Sequence, residues 1–336
     1  MNMGTRINCS NSEDKLGVKW IAIAVISAIL MVAAFSWSVN AQKKSMTAVF
    51  LMCFRSIAAQ DPDPKTRNPD YLAAKIVNQD LMLEYMGWTL DFETSVRAIN
   101  RDKLWMFYYA TARTKHIDSV LLKELESGVK QVVIMGAGYD TRAFRFYKDF
   151  PKIRFFEVDL PVMVDDKKKR VESKLSDLPK NVAYAPIDFN TQDLGQVLAK
   201  VGYQKDQKTL FIWEGVVMYL DGAAVKSTLQ FIAKNSSAGS SVVFDYMPPS
   251  VVEGTYTKDP YAIQVADTVR GFGEPFTFGI NPDKSGAFLK KQGLKQVSNI
   301  GHDDMVKRYM TSSNGKPFGT VPNFFWITHA RVLDAK

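Results

Sequence analysis

The pattern of apolar and polar positions divides this chain into three parts. Residues 20–39 contain no charged side chain. From residue 71 to about residue 127 the apolar positions follow helical spacing, as at Leu104, Phe107 and Tyr108. Further on, short apolar runs alternate with longer helical segments. The short runs predict seven strands, at residues 131–135, 154–158, 182–187, 210–213, 241–244, 293–298 and 324–332.

The alternation of strands and helical segments predicts the fold class. Strands separated by helices pair in parallel through right-handed crossovers, with helices on both faces of the sheet. We therefore expect an α/β fold with a doubly wound, mostly parallel seven-stranded sheet. The last strand is expected to follow its neighbour through a short connection, which favours one antiparallel pair. Residues 248–285, rich in Pro, Gly and aromatic side chains, are expected to form an insertion that covers the substrate.

The first strand ends in a glycine turn with candidate binding chemistry. In Gly136-Ala137-Gly138 the missing Cβ atoms permit positive φ and close approach of a ligand to the backbone. The second strand ends in Asp159, 21 positions beyond Gly138. An acid about 20 positions after such a turn can accept both ribose hydroxyls of a nucleoside. The pair predicts a nucleoside-containing cofactor at the carboxyl edge of the sheet.

The glycine spacing argues against a dinucleotide, because Thr141 stands where G-x-G-x-x-G needs its third glycine. Four segments, in this order, resemble the leucine carboxyl methyltransferase family. They are Gly-Ala-Gly-x-Asp-Thr-Arg at 136–142, Phe-Glu-Val-Asp-Leu-Pro at 156–161, Asp-Phe-Asn at 188–190 and Glu-Gly-Val-Val-Met-Tyr-Leu at 214–220. The resemblance covers roughly residues 68–333. It implies a class I, Rossmann-like methyltransferase fold with S-adenosyl-L-methionine (SAM) as cofactor.

The resemblance also implies which residues bind the adenosine part of SAM. Asp159 would accept the ribose hydroxyls, although a helix N-cap is the alternative for an acid in this position. Asp188 and Phe189 would bind the adenine, one by hydrogen bonding and the other by ring packing; a simple turn is the alternative there.

The amino-acid end of SAM needs different partners. By resemblance, Arg113 would hold the methionine carboxylate, where a bidentate guanidinium offsets desolvation; the residues alone favour a surface arginine. Glu214 and the carbonyl of Gly136 would face the ammonium group. Glu214 follows a fully apolar strand, and a carboxylate there is costly unless a cation pairs with it.

Composition excludes several other classes of site. Two cysteines, Cys9 and Cys53, and three dispersed histidines do not suggest a disulfide framework or a metal site. The net charge of +8 is moderate, and the run of residues 167–170, Lys-Lys-Lys-Arg, is expected to be a solvated helix face, with a contact to anionic lipid or RNA as the alternative. We expect no nucleic-acid partner.

The N-terminal segment is predicted to insert into a membrane. A helix of residues 20–39, at about 1.5 Å per residue, would cross a hydrocarbon core of roughly 30 Å. Residues 39–41, Val-Asn-Ala, also suit a signal peptidase, so anchor and cleaved signal both stay open. Because SAM is a cytosolic metabolite, we favour a single-pass anchor with a cytosolic enzyme. The expected organisation is a tail and anchor at 1–45, a linker at 46–69 and a catalytic domain at 70–336.

The predicted reaction is methyl transfer from SAM to oxygen, and the residues identify no catalytic group. A carboxylate acceptor, on a small molecule or a protein C-terminus, needs no general base, whereas a hydroxyl does. An inactive SAM-binding, membrane-tethered interaction protein is the alternative function. An NAD-dependent enzyme is disfavoured by the glycine spacing.

Overall fold

A computed structural model describes residues 44–77, 91–98, 104–189 and 191–333. The residues from Ser45 onward belong to one structural unit. The hydrophobic helix predicted at residues 20–39 and its signal-peptidase site lie outside the described residues. In the ranges that are described, no helix has the length and apolar character needed to cross a membrane.

The seven predicted strands form one sheet. They are β1 Gln131–Met135, β2 Arg154–Asp159, β3 Val182–Pro186, β4 Thr209–Trp213, β5 Ser241–Tyr246, β6 Leu294–Ile300 and β7 Trp326–Val332. Their order is β3-β2-β1-β4-β5-β7-β6. Strands β1 to β5 pair in parallel, and β7 runs antiparallel to both β5 and β6. This confirms the mostly parallel sheet, but the connection from β6 to β7 is not short, since residues 301–325 include a helix.

Helices flank the strands. In the described ranges they are α1 Met46–Ala58, α2 Ala73–Ile76, α3 Phe92–Ala98, α4 Leu104–Glu126, α5 Arg142–Phe146, α6 Pro161–Lys174, α7 Leu194–Lys200, α8 Gly222–Lys234, α9 Pro249–Val252, α10 Tyr261–Gly271, α11 Ser285–Lys291 and α12 His302–Tyr309. Two short 3-10 turns occur at Val217–Tyr219 and Pro282–Lys284.

The core lies on both faces of the sheet. Along β1, Val132 and Ile134 pack into one apolar cluster, while Val133 packs into the other. All are almost fully buried, since successive side chains of a strand point to opposite faces and helices cover both. Burial on both faces explains why the strands read as continuous apolar runs, and it confirms the doubly wound arrangement.

The segment 46–69, expected to be a linker, is part of this fold. Helix α1 begins after Ser45, whose Oγ accepts from the backbone N–H of Ala48 at 3.1 Å. Glu274, from the predicted insertion, accepts from the backbone N–H of Met46 at 2.6 Å. Met52 and Phe54 are fully buried in the core. The apolar face of α1 therefore packs on the rest of this structural unit, which begins well before residue 70.

The basic run 167–170 also differs from expectation. Lys167 is 1% exposed, and its Nζ lies 2.6 Å from Oε1 of the equally buried Glu157. Burial raises the pKa of Glu157 to about 7, although the ammonium of Lys167 acts to lower it. Arg170 pairs with Asp166 at 2.6 Å. Lys167 therefore points into the protein, where it pairs with an acid on β2. The basic run is not a uniformly solvated helix face.

Candidate functional site

The glycine turn after β1 adopts the backbone that its sequence predicts. Gly136 and Gly138 have φ of +62° and +41°, which is the left-handed region. A Cβ at Gly136 would lie 2.2 Å from Cγ2 of Val216, so the loop after β4 packs directly on the turn. Gly136 is therefore needed for both backbone conformation and packing, and Gly138 for backbone conformation.

Asp159, at the end of β2, faces this turn. One carboxylate oxygen accepts from the N–H of Gly138 at 2.5 Å and the other from the N–H of Leu160 at 2.7 Å. Burial raises the pKa of Asp159, while these two donors act to lower it. The N-cap of α6 is Leu160, without a side-chain capping bond, so Asp159 is not a helix cap. Each carboxylate oxygen keeps a lone pair for a further donor such as a ribose hydroxyl.

Asp188 and Phe189 follow β3 at the same sheet edge. The N–H of Ile187 donates to the carbonyl of Asp159 at 2.8 Å, which places Asp188 just beyond the end of β2. Phe189 is half-buried against the apolar cluster on one face of the sheet. The backbone N–H of Asp188 donates to Oε1 of Gln192 at 2.9 Å. Asp159, Asp188 and the glycine turn therefore share one edge.

Glu214 follows β4, on the other side of β1, and is paired with cations. Its Oε1 lies 2.9 Å from Nε of Arg113, and its Oε2 accepts from Nη1 of Arg142 at 2.6 Å. Burial acts to raise its pKa, but Arg142 and Arg113 outweigh burial and lower the pKa to about 2. Glu214 is an anion at neutral pH, and the predicted need for a cationic partner is met within the protein.

Arg113 lies on α4 and is 3% exposed, not a surface arginine. Besides Glu214 it contacts Asp245 at the end of β5, with Nη1 to Oδ2 at 2.6 Å. Asp245 is fully buried and also accepts from the hydroxyl of Tyr109 at 2.9 Å and the N–H of Gly215 at 2.6 Å. Sequence reasoning missed Asp245, although an acid ending a buried strand is the same signal that identified Asp159.

The ion pairs continue from Glu214 into the helical layer. We call this set the buried charge network. It comprises four arginines, Arg55, Arg113, Arg142 and Arg145, and five acids, Asp70, Asp118, Asp140, Glu214 and Asp245. Among these residues carboxylates outnumber guanidinium groups by one. A network with this surplus of one carboxylate suits a cationic ligand group.

An apolar cavity adjoins Arg113. It has a volume of about 590 Å³, its open mouth included, and we call it the acceptor cavity after the role that we propose for it. Arg113 and Gly215 are among its lining residues, most of which come from α1, α4, α10 and the segment after β4. Seven of its sixteen lining residues are aromatic. The predicted insertion contributes Val265, Val269 and Phe272.

The residues at the edge fit the chemistry of SAM. The glycine turn and Asp159 offer backbone approach and hydroxyl acceptors, as a nucleoside requires. The negative surplus of the buried charge network offers a place for a cationic ammonium. Arg113 lies beside Glu214. Its guanidinium already contacts two carboxylates, so the carboxylate of a ligand would be its third anionic partner.

Comparison with known proteins identifies the family. The sequence profile described as leucine carboxyl methyltransferase matches residues 48–233. A protein of Streptomyces avermitilis, named as a SAM-dependent methyltransferase, is 30% identical over 226 residues, which are 67% of this chain and 74% of that protein. YktD of Bacillus subtilis, named likewise, is 29% identical over 196 residues, 58% of this chain and 63% of YktD.

Solved structures of methyltransferases are also similar. An O-methyltransferase family protein from Burkholderia thailandensis has a TM-score of 0.42 and 11% identity, over 69% of this chain and 60% of that chain. The profile match covers more than half of the sequence, and it includes the glycine turn, Asp159, Asp188 and Glu214. The chain therefore belongs to the leucine carboxyl methyltransferase family.

Proposed function

We propose that this protein transfers the methyl group of SAM to an oxygen of its acceptor, either a carboxylate or a hydroxyl, on a small molecule or a protein C-terminus. Family membership makes it a methyltransferase, with SAM as the methyl donor. The observation that carries the proposal is the shared sheet edge, where the glycine turn and Asp159 adjoin Glu214 and the acceptor cavity.

Each residue of the edge has a proposed task. Asp159 accepts the ribose hydroxyls with the lone pairs that Gly138 and Leu160 leave open. Asp188 and Phe189 bind the adenine. Glu214, with the Gly136 carbonyl, holds the ammonium, and this adds the positive charge that the buried charge network lacks.

Arg113 is proposed to bind the SAM carboxylate while keeping its contacts to Glu214 and Asp245. Its guanidinium has five N–H donors in a planar fork, enough for three anions. Since SAM supplies an activated methyl group, the protein's main task is to align the acceptor with that group.

The experiment is methyl transfer itself. Purified protein is incubated with methyl-labelled SAM and a small-molecule extract, and products are identified by mass spectrometry. A labelled methyl ester or ether supports the proposal. SAM binding without any labelled product would favour the alternative, an inactive SAM-binding protein.

We further propose that residues 20–39 anchor the enzyme to a membrane, with the catalytic unit in the cytosol. The support is the uncharged apolar sequence alone. Mass analysis of the mature N-terminus tests it, because a chain beginning at Gln42 would mean cleavage after Ala41 and would contradict an anchor.

A further inference from the structure

Two hydroxyl groups lie together in the wall of the acceptor cavity. Thr47, in the first turn of α1, and Tyr219, in the 3-10 turn after β4, both line it. Burial raises the pKa of the Tyr219 hydroxyl, while a hydrogen bond with the side chain of Thr47 acts to lower it. Most of the other lining side chains are apolar, so this pair of hydroxyls is a place where a polar group of an acceptor can bind.

The hydroxyl of Thr47 leads from the cavity to a carboxylate. Its Oγ1 donates to Oε2 of Glu274 at 2.5 Å. A threonine hydroxyl has one hydrogen and two lone pairs, so the oxygen of Thr47 can only accept once its hydrogen is given to Glu274. The hydroxyl group of an acceptor would therefore donate to Thr47, which is the direction that removal of its proton requires.

Glu274 is placed to receive a proton through Thr47. It also accepts from Oγ of Ser45 at 3.0 Å and from the backbone N–H of Met46 at 2.6 Å. In the parts of the chain that the structure describes, all of its donors are neutral groups. Protonation of Glu274 would therefore leave no cation without its partner. Glu274 is half-buried, so it can return the proton to solvent.

A second hydroxyl of the cavity leads to a carboxylate that is less suited to this task. Tyr109 donates to Oδ2 of Asp245 at 2.9 Å. Asp245 is fully buried and pairs with Arg113 at 2.6 Å, so its protonation would deprive a buried guanidinium of an anionic partner. Burial raises the pKa of Tyr109, and the charge of Asp245 raises it further, so this hydroxyl keeps its own proton. The route through Thr47 is the better one for a proton.

We propose that Thr47 and Glu274 form a proton relay, and that the acceptor is an apolar phenol that loses its proton to this relay as its methyl ether forms. This inference rests on the proposed function and names the acceptor class and the base for it. The phenol oxygen forms a bond to the methyl carbon, and the bond from that carbon to sulfur breaks with its electron pair remaining on sulfur. The proton of the phenol passes to Oγ1 of Thr47 as the proton of Thr47 passes to Oε2 of Glu274. The sulfonium becomes a neutral thioether, and the carboxylate becomes a neutral acid.

The properties of a phenol match both the cavity and the relay. Its flat ring packs well against aromatic side chains, which are seven of the sixteen lining residues. A phenol with a pKa of about 10, like that of tyrosine, is almost entirely neutral at pH 7. It therefore needs a base before its oxygen becomes a good nucleophile, and general bases contribute about 10²–10⁴-fold to such rates.

The test is methyl transfer from SAM to 2-naphthol and 4-phenylphenol, with the products identified by mass spectrometry. Wild-type protein should convert at least one of them into its methyl ether. Thr47→Val removes the hydroxyl with little change in size, and kcat should fall at least about a hundredfold with KM nearly unchanged. Thr47→Ser keeps the hydroxyl and should retain most of the rate. Glu274→Gln should lower kcat as Thr47→Val does, and Thr47→Val alone carries the test if Glu274→Gln does not fold.

Ser45→Ala is the matched control. Ser45 donates to the same carboxylate oxygen and caps the same helix as its N-cap residue, but it does not line the cavity. Loss of the cap should destabilise α1 at least as much as Thr47→Val does, as thermal denaturation would show. The kcat of Ser45→Ala should nevertheless stay close to that of the wild type, because the relay is intact.

The pH dependence separates a relay from a structural role. Without the relay only the ionised phenol reacts, so the rate of Thr47→Val should rise about tenfold per pH unit at pH values below the phenol pKa of about 10. The wild-type rate should rise much less over the same range. The acceptor 4-nitrophenol, which is already ionised in mildly alkaline solution, should react there at similar rates with both proteins.

Several results would overturn the inference. They are the absence of any methyl ether from the two phenols, an equal loss of kcat in Ser45→Ala and Thr47→Val, or the same pH dependence in wild type and Thr47→Val. Methyl esters as the only labelled products of a cell extract would also overturn it, and would leave the proposed methyl transfer standing. The absence of any labelled product would refute the proposed function itself, which separates the two claims.

Discussion

The two halves of the sheet edge are built by different means. On the β2 and β3 side, Asp159 is held by two backbone N–H groups from its own neighbourhood. On the β4 and β5 side, Glu214 and Asp245 are held by arginine side chains from α4 and α5. Backbone donors fix one carboxylate independently of other side chains, whereas the ion pairs make each residue depend on several others. A substitution on the β2 and β3 side should therefore change few other contacts. A substitution on the β4 and β5 side should change the contacts of several residues together.

The strongest test of this contrast is Asp245→Asn. The substitution removes the carboxylate that accepts from Arg113 and from the N–H of Gly215 in a fully buried place, and each hydrogen bond to a charged group contributes about 1.5–3 kcal/mol. Chemical denaturation measures the loss. Asp267→Asn is the control, because Asp267 pairs with Arg270 at an exposed site and should contribute no more than about 1 kcal/mol. Equal losses for the two variants would mean that Asp245 in the buried charge network contributes no more to stability than an exposed ion pair does.

A smaller loss is expected from Gly136→Ala, in the glycine turn. The new Cβ would meet Val216 at 2.2 Å, and φ of +62° is unfavourable for alanine, so we expect a loss of about 1–3 kcal/mol in unfolding free energy. Adding Val216→Ala should recover the part of the unfolding free energy that is lost through the contact of the new Cβ with Val216. The part that is lost through the unfavourable φ should remain lost. If the double variant is no more stable than the single one, the packing of the β4 loop on the turn is unimportant.

These two sites also show what could be predicted from the sequence. Strand positions, the glycine turn and Asp159 follow from local apolar runs and spacing, because parallel strands bring their ends to one edge. The buried charge network could not be predicted in this way. Arg55, Asp70 and Asp118 come from segments distant in sequence, and their pairing depends on how α1 and α4 pack. The same long-range packing places α1 in the core, although its segment was predicted to be a linker.

A pH-dependent effect is expected at Glu214. Its folded-state pKa is about 2, below the ordinary 4.5, so its ionised form stabilises the folded protein at any pH above 4.5. That contribution is lost as pH falls from 4.5 through 2. The difference in unfolding free energy between wild type and Glu214→Gln should be constant above about pH 5 and shrink toward about pH 2. A difference that does not change across this range would contradict the pairing with Arg142 and Arg113.

The central claim is that SAM lies across both halves of the edge, its adenosine at Asp159 and its amino-acid end at Glu214. Titrating Asp159→Asn and Glu214→Gln with SAM and with adenosine, which lacks the amino-acid end, tests this most directly. Loss of hydrogen bonds to a charged group, about 1.5–3 kcal/mol, predicts that Asp159→Asn binds both ligands roughly tenfold to a hundredfold more weakly. Glu214→Gln should weaken SAM and leave adenosine unchanged. Unaltered adenosine affinity in a folded Asp159→Asn protein, or equal weakening of both ligands by Glu214→Gln, would contradict the account.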